Sequence, residues 1–257
     1  MRFRNSYKFL GLKICGPRLN GKIIRMNRII NPITKRALII KANLMMEKLS
    51  VEDLIRISRD FCDGIILNLE QVEKLFHYFL GRRIPALILK IDYTSYSSSL
   101  IENALYMGAS GVISSFIVGH KKDEDEAKNL ETISSLARES ERYGLPLIVE
   151  CILFGERITK ENFFRCVELA ARVSAEAGAD IIAVPYIDGN FLRQNIVNGI
   201  DIPVLMSDMG TFFGSAVENA ETMLKNGASG FLIGEETFKK YNISKIKDLY
   251  NLLHGEV

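Results

Sequence analysis

Two lysines stand at the ends of apolar runs, where their amines could carry out carbonyl chemistry. Lys41 follows Ala-Leu-Ile-Ile and Lys90 follows Ala-Leu-Ile-Leu, and short apolar runs of this kind are typical of buried strands. An ammonium group in an apolar core must pair with a carboxylate or lose its proton. A neutral lysine amine can attack a carbonyl carbon and form a Schiff base. We therefore take Lys41 and Lys90 as candidate catalytic amines.

Polar residues end several other apolar runs and could complete such a site. Because side chains alternate along a strand, Asn43 shares a face with Lys41, and Asp92 shares one with Lys90. Carboxylates and a phenol in this setting could move protons. The predicted catalytic residues are Lys41, Lys90, Glu150 and Tyr186, and the predicted substrate-binding residues are Asn43, Asp92, Asp208 and Glu235.

The alternative interpretation of the two lysines is structural. Each could form an ion pair inside the folded core, with Glu150, Asp92 or Asp208 as its partner, or point outward between helices. Three histidines in 257 residues make a histidine-rich metal site improbable on composition. A magnesium site built from the same three carboxylates is the remaining metal hypothesis. We expect no metal and no cofactor.

Eight short apolar runs alternate with segments of helical pattern, which predicts a parallel sheet buried on both faces. Eight such units in this length favour closure into a TIM (β/α)8 barrel, whose sites lie at the C-terminal ends of the strands. An open doubly wound sheet is the alternative, but no glycine-rich phosphate loop follows the first strand. The predicted strands are 36–43, 64–67, 85–92, 111–115, 146–150, 181–184, 203–207 and 230–234, and the predicted helices are 50–61, 70–80, 99–107, 123–143, 160–177, 191–197, 215–225 and 244–253.

Charge divides the chain unevenly. Residues 1–46 contain 11 Lys or Arg and no Asp or Glu, which leaves 33 − 11 = 22 basic against 31 acidic residues in the remainder. We predict a basic arm over 1–35, irregular through residue 36 because of its glycine and proline breakers, and a barrel over 36–257. The arm could pack on the acidic barrel, form an oligomer contact, or bind nucleic acid.

Other features of the chain bear on its compartment. The four cysteines show no paired spacing and are expected to be reduced. No apolar run approaches the length of a membrane span, and the N-terminus lacks the apolar core of a signal peptide. These observations favour a cytoplasmic protein that does not associate with membranes.

Several motifs resemble those of archaeal-type class I aldolases, a family that includes fructose-bisphosphate aldolases and 2-amino-3,7-dideoxyheptulosonate synthases. The similarity spans roughly 20–240 and implies a TIM barrel, Schiff-base chemistry on a carbonyl substrate and a homo-oligomer. The motifs are Gly21-Lys-Ile-Ile-Arg-Met-Asn-Arg-Ile-Ile-Asn31, Thr34-Lys-Arg-Ala-Leu-Ile-Ile40, Gly108-Ala-Ser-Gly-Val112, Tyr143-Gly-Leu-Pro-Leu147, the segment 170–182, Pro203-Val-Leu-Met-Ser207 and Gly227-Ala-Ser-Gly-Phe-Leu-Ile-Gly234.

The catalytic residues that this resemblance implies are missing here. The lysine of the sixth strand aligns with Ala183, which has no nucleophile. The aspartate of the first strand aligns with Asn43, which cannot serve as a carboxylate base. The tyrosine of the fifth strand aligns with Ile152. The amides that hold the substrate phosphate in the family align with Asp208-Met209 and Gly234-Glu235, so two acids stand where an anion should bind.

Three functions remain open on the sequence. The first is a divergent aldolase-like barrel without the usual Schiff-base chemistry, which is not a conventional fructose-bisphosphate aldolase. It is either a barrel without catalysis that associates with itself or with an active paralogue, or a binder of some other ligand. The second is a carbon–carbon lyase with a relocated lysine, Lys41 or Lys90, acting on a small non-phosphorylated carbonyl metabolite. The third is a scaffold or a nucleic-acid binder acting through the basic arm, although we do not expect nucleic acid as the partner.

Overall fold

The structure is a computed structural model that describes residues 19–42, 50–81, 84–91, 99–208, 215 and 217–255. Asn43 and Asp92 lie outside these ranges. The strands are β1 Ala37–Lys41, β2 Gly64–Leu67, β3 Ala86–Lys90, β4 Gly111–Val118, β5 Leu147–Leu153, β6 Ile181–Pro185, β7 Val204–Ser207 and β8 Gly230–Ile233. The α-helices are α1 Leu19–Ile29, α2 Val51–Ser58, α3 Leu69–Leu75, α4 Leu100–Tyr106, α5 Asp123–Tyr143, α6 Phe163–Glu176, α7 Gly189–Phe191, α8 Ala220–Lys225, α9 Glu235–Lys240 and α10 Ile243–His254.

The eight strands close into a parallel barrel in sequence order, and β1 pairs with β8 to complete it. The predicted TIM barrel is therefore confirmed. Alternate strand residues fill the interior, which is apolar from its base almost to the mouth. This inner cluster contains Ala37, Ile39, Ile66, Ala86, Ile88, Ile113, Ile148, Ile181, Ala183, Leu205 and Leu232, together with Met26, Ile29 and Ile30 from the end of α1 and the residue after it.

The prediction that residues 1–36 are irregular is wrong for Leu19–Ile29, which forms helix α1. The proline and glycine breakers flank this helix, and Gly21 lies in its first turn, where helical hydrogen bonding is incomplete anyway. Met26, Ile29 and Ile30 are spaced to share one helical face and are buried at the base of the barrel. Residues 26–30 thus belong to the barrel core, and the boundary predicted at residue 35 remains a prediction.

A buried lysine fastens α1 to the barrel. Lys22 Nζ lies 2.9 Å from Asp180 Oδ1 and 2.6 Å from Glu141 Oε2, and Lys22 is 6% exposed. Arg25 donates to the carbonyl oxygen of Gly144 at 2.9 Å. In the described part of the arm, Lys22 and Arg25 therefore pack on the barrel. Residues 1–18 lie outside the described part, so the predicted roles of the arm in oligomer or nucleic-acid contacts remain predictions.

Strands β4 and β5 run three residues further than predicted, to Val118 and Leu153. They stay paired beyond the point where β3 ends, which leaves one edge of β4 open. Asn129 of α5 satisfies that edge, because its Oδ1 accepts from Ile117 N at 2.8 Å and its Nδ2 donates to Ser115 O at 3.0 Å. Asn129 is fully buried, so this extension depends on a contact that local patterning does not reveal.

Smaller differences from the predicted helices occur at their ends. The predicted helix 191–197 is a mixture of α, π and 3-10 turns, and α8 is shorter than predicted. Helix α9, after β8, was not predicted. Ser50 accepts from Asp53 N at 3.1 Å and so caps α2 as expected. Among the described residues, no helix has the length and apolarity needed to cross a membrane.

Candidate active site at the barrel mouth

A buried polar centre lies at the C-terminal end of the barrel. Lys41 Nζ at the end of β1 donates to Glu150 Oε1 of β5 at 2.7 Å. Ser207 Oγ at the end of β7 donates to the same oxygen at 2.7 Å. The exposed fractions are 9% for Lys41, 5% for Glu150 and 0% for Ser207. Three strands thus bring an amine, a carboxylate and a hydroxyl together where barrel enzymes place their chemistry.

The structure pairs Lys41 with Glu150, one of the three carboxylates predicted as its possible partners. Taking both charges out of water costs several kcal/mol per ion, which the pair recovers only with good geometry and further hydrogen bonds. Ser207 supplies such a hydrogen bond. This contact is the ion pair of the structural interpretation, and its groups are also those that an activated lysine nucleophile would need.

A cavity of about 110 Å³ opens beside this centre. Its polar lining consists of Lys41, Lys90, Glu150 and Ser115, and its apolar lining of Ile66, Ile113 and Ile152. Lys90 ends β3, lies on the same alternation as the inward residues Ala86 and Ile88, and is exposed. Both candidate lysines thus line one cavity, and Lys90 also borders a second pocket beside α3 and α4.

Ala183 lies beside this centre. It is paired in register with Glu150 on one side and with Leu205 on the other, and it is fully buried within the inner cluster. Its methyl group fills an interior position without reaching the mouth as a longer side chain would. The polar atoms around Glu150 therefore come from Lys41 and Ser207 rather than from β6.

Gly234, which follows β8, borders the Lys41 side chain. A Cβ atom built on Gly234 would lie 3.3 Å from both Cβ and Cε of Lys41. That distance is tighter than ordinary contact between carbon atoms. The absence of a side chain at this position therefore gives Lys41 the space to lie along β8 toward Glu150.

Asp208 fills the turn between β8 and α9 with its own carboxylate. Its Oδ2 accepts from Gly234 N at 2.6 Å, from Thr237 N at 3.2 Å and from Thr237 Oγ1 at 2.7 Å. Loops after the seventh and eighth strands and a short extra helix often bind phosphate in TIM barrels. Here an internal anion takes up these donors, so Asp208 acts as a cap within the described structure.

Family comparisons agree with this architecture. A model of the DeoC/LacD family aldolases matches residues 41–240. The chain belongs to the DeoC/LacD aldolase family. An uncharacterised aldolase of Saccharolobus solfataricus is 25% identical to this family member over 263 residues, which cover 91% of this chain and 94% of the relative. The 2-amino-3,7-dideoxy-D-threo-hept-6-ulosonate synthase 1 of Archaeoglobus fulgidus is 30% identical over 162 residues, which cover 61% of this chain and 58% of that protein.

Solved structures support the fold of this DeoC/LacD aldolase-family chain. A Schiff-base-forming fructose-1,6-bisphosphate aldolase superimposes with a TM-score of 0.73 at 24% identity, covering 91% of this chain and 100% of that one. An archaeal fructose 1,6-bisphosphate aldolase gives the same TM-score and coverage at 22% identity. At these identities the likeness concerns the fold.

Tyr186 is not brought to the cavity of this DeoC/LacD aldolase-family protein. It is half-buried against the outer cluster, between the strands and the helices. Burial raises the pKa of its phenol, and the charges of Asp188 and Glu218 raise that pKa further. The predicted catalytic residues that share the cavity are therefore Lys41, Lys90 and Glu150.

The other predicted site residues are Asp208, Asn43, Asp92 and Glu235. Asp208 lies on the rim as a cap, whereas Asn43, Asp92 and the side chain of Glu235 fall outside the described part of the structure. Across the described residues, no group of three or more His, Cys, Asp or Glu side chains is placed to hold a metal ion. Thr237 is a rim residue that local sequence patterns do not reveal, because its helix α9 was not predicted and no motif marks it.

Proposed function

We propose that this chain is a carbon–carbon lyase of the aldolase type in which Lys41 forms the Schiff base. The observation that carries this proposal is the 2.7 Å contact between Lys41 Nζ and Glu150 Oε1 at the floor of the mouth cavity. A lysine acts as a nucleophile only after losing a proton, and Glu150 lies within reach to accept it. Ser207 orients Glu150 through the same oxygen.

The proposed reaction runs through one proton shuttle, Glu150. Glu150 takes a proton from Lys41, and the neutral amine attacks the carbonyl carbon of the substrate. Glu150 returns the proton to the hydroxyl group of the adduct, which leaves as water, and an iminium remains. The carboxylate then removes the proton of the β-hydroxyl group, the bond between the α and β carbons breaks, and its electron pair moves into the iminium. Protonation of the resulting enamine and hydrolysis release the second product and restore the amine.

Lys90 is the alternative amine and has a distinct role in this proposal. It lines the same cavity but is exposed, whereas Lys41 is buried against a carboxylate. An ammonium near the mouth favours negative charge that develops on a substrate oxygen. We therefore assign Lys41 as the nucleophile and Lys90 as an electrostatic contributor.

The proposed substrate is a small carbonyl compound without a phosphate group. A cavity of about 110 Å³ holds a short carbonyl fragment. The donors of Gly234 and Thr237 already serve Asp208, whose carboxylate would repel a phosphate dianion brought to the same turn. The occupied donors at this turn and the alanine at position 183 of β6 together support a reaction other than that of a conventional fructose-bisphosphate aldolase.

Trapping the Schiff base tests this function directly. The protein is incubated with pyruvate, dihydroxyacetone or dihydroxyacetone phosphate, reduced with borohydride, and its intact mass and modified peptide are measured. We expect an adduct with a non-phosphorylated compound at Lys41. Lys41→Met should abolish it and Lys90→Met should retain it. Lys74→Met, on the exposed face of α3, is the matched control.

Three results would contradict the proposal in different ways. An adduct that survives Lys41→Met and disappears with Lys90→Met would move the nucleophile to Lys90. An adduct formed with the phosphate ester alone would overturn the substrate class. The absence of both an adduct and retro-aldol turnover would leave a barrel without catalysis, the reading in which this chain associates with itself or with an active paralogue.

A further inference from the structure

A second crevice opens at the opposite end of the barrel from the mouth. It has a volume of about 610 Å³, within the usual range for small-molecule sites. Its walls come from the residues that precede β2 and β3, from the ends of α1 and α2, and from one face of α10. The lining residues used below are Arg28, Arg59, Asp60, Phe61, Asp63, Lys247 and Tyr250.

Three cations face this crevice without a carboxylate partner among the residues that the structure describes. They are Arg28, Arg59 and Lys247, and Arg59 is half-buried. Other basic side chains of the molecule, such as Lys22 and Arg56, contact carboxylates within 3 Å. An unpaired guanidinium in a recess retains donors that suit a carboxylate or phosphate group.

The two carboxylates of the lining do not cancel this charge. The formal sum is 3 − 2 = +1. Asp63 is turned to internal partners, because its Oδ2 accepts from Leu38 N at 2.7 Å and lies 2.9 Å from His254 Nε2. The exposed Asp60 is the remaining negative group. The crevice therefore favours an anion that reaches several cations at once.

Aromatic residues form the apolar part of the same crevice. Phe61 is buried, and Lys247 Nζ lies 5.5 Å from the centre of its ring. Tyr250 is half-buried and its ring lies 4.6 Å from that of His254. Burial raises the pKa of the Tyr250 phenol, with smaller contributions from Asp63 and Cys62, so the hydroxyl remains a donor near neutral pH. A planar ring with an anionic tail matches this combination of apolar surface and cations.

We propose that this crevice binds a small ring-bearing polyanion of the nucleoside diphosphate class. Arg28, Arg59 and Lys247 would hold the phosphates, and the ring would lie against Tyr250 and the apolar wall. The three cations line one crevice of about 610 Å³, and a volume of that size favours a small molecule over a polymer. The site shares no residue with the mouth and does not rest on the proposed lyase function.

Calorimetric titration of the full chain with ADP tests this site. The variant Arg59→Gln/Lys247→Gln removes two lining charges, and Arg56→Gln/Lys245→Gln removes two charges from the same helices outside the crevice. We expect ADP binding to weaken about tenfold or more in the first variant and to be unchanged in the second. Lys90→Gln, at the mouth, should leave the affinity unchanged. Inorganic pyrophosphate and adenosine should each bind more weakly than ADP.

Several outcomes would overturn the assignment. These are no ADP binding by the wild-type chain at millimolar concentration, an equal loss in both double variants, or a loss in Lys90→Gln. Pyrophosphate binding as tightly as ADP would exclude the ring contact, and equal binding of adenosine would exclude the phosphate contacts. Circular dichroism of each variant separates a lost contact from a lost fold.

Discussion

Glu150 of β5 is paired in register with Ala183 of β6, yet the ammonium that contacts Glu150 comes from Lys41 of β1, on the far side of the barrel. Three strands separate β1 and β5 in either direction around the closed sheet. The contact is therefore made across the interior, at the level where the apolar layers end. A small residue at position 183 is compatible with this arrangement, because the lysine at the mouth comes from the opposite wall of the barrel.

Removing one partner of this pair should destabilise the fold more than removing both. Lys41→Met leaves the Glu150 carboxylate buried without its ammonium partner, although Ser207 still donates to it, and we expect a loss of about 3 kcal/mol in the free energy of unfolding. Lys41→Met/Glu150→Leu should recover much of that loss, because neither charge remains. Urea unfolding of the single and double variants measures both effects.

Exposed ion pairs provide the control for this cycle. Lys74→Met removes the partner of Glu70 on the surface of α3, and no measurable change in unfolding is expected. The 2.7 Å contact implies that Lys41 and Glu150 are energetically coupled. If the losses in the free energy of unfolding of the two single variants simply added up in the double variant, this coupling would be absent.

Gly234→Ala should disturb Lys41 more than it disturbs the barrel. The added methyl group would lie 3.3 Å from Cβ and Cε of Lys41, so the lysine must shift by a few tenths of an ångström from Glu150. We expect the yield of the borohydride-trapped adduct to fall about tenfold, because catalytic contacts are sensitive to small displacements. Gly199→Ala is the matched control, since an added Cβ there would meet nothing closer than 3.8 Å. Equal yields in both variants would show that Gly234 does not position Lys41.

Asp208→Ala should loosen the turn between β8 and α9. It leaves the amides of Gly234 and Thr237 and the Thr237 hydroxyl without their acceptor. We expect the free energy of unfolding to fall by about 2 kcal/mol, a typical value for lost hydrogen bonds to a charged group. Hydrogen exchange should rise at the two amides. Asp201→Ala removes an exposed carboxylate just before β7 and should change neither measurement.

Cysteine labelling should distinguish the buried thiols from Cys166. Burial raises the pKa of Cys151 to about 12, a hydrogen bond with Ser174 opposes that shift, and Glu150 adds to it. Very little thiolate therefore forms at pH 8. In a Cys15→Ser background, we expect iodoacetamide to modify Cys166, which is half-buried, before Cys151 or Cys62. Mass mapping over time gives the order, and early modification of Cys151 would contradict the packing of β5.

The same thiol predicts a sign for alkaline stability. The folded-state pKa of Cys151 lies above its ordinary value of 9.0, so the unfolded chain releases this proton first. The stability that the neutral thiol gives the folded state is fully present below pH 9.0 and is lost as the pH rises toward 12. Cys151→Ser should reduce the loss of folding stability that this thiol causes at alkaline pH.

Local sequence patterns were sufficient to predict most strands and their closure. Each strand is a short apolar run next to a glycine or proline turn, and burial on both faces follows directly from that composition. The errors arose where a contact distant in the chain governs an element. Asn129 supports the extension of β4, and Asp208 and Thr237 organise α9, although nothing in the local sequence marks these partners.

The sequence by itself determined that Lys41 and Lys90 end barrel strands, that Glu150 lies on another strand and that Ala183 lacks a nucleophile. It left open which carboxylate would meet Lys41, since Glu150 is 109 residues away. The tertiary structure decided this through the register and closure of the sheet, which set the height of each side chain in the barrel. It also placed Tyr186 outside the cavity. The surroundings of a side chain depend on packing around the whole barrel and not only on its position along one strand.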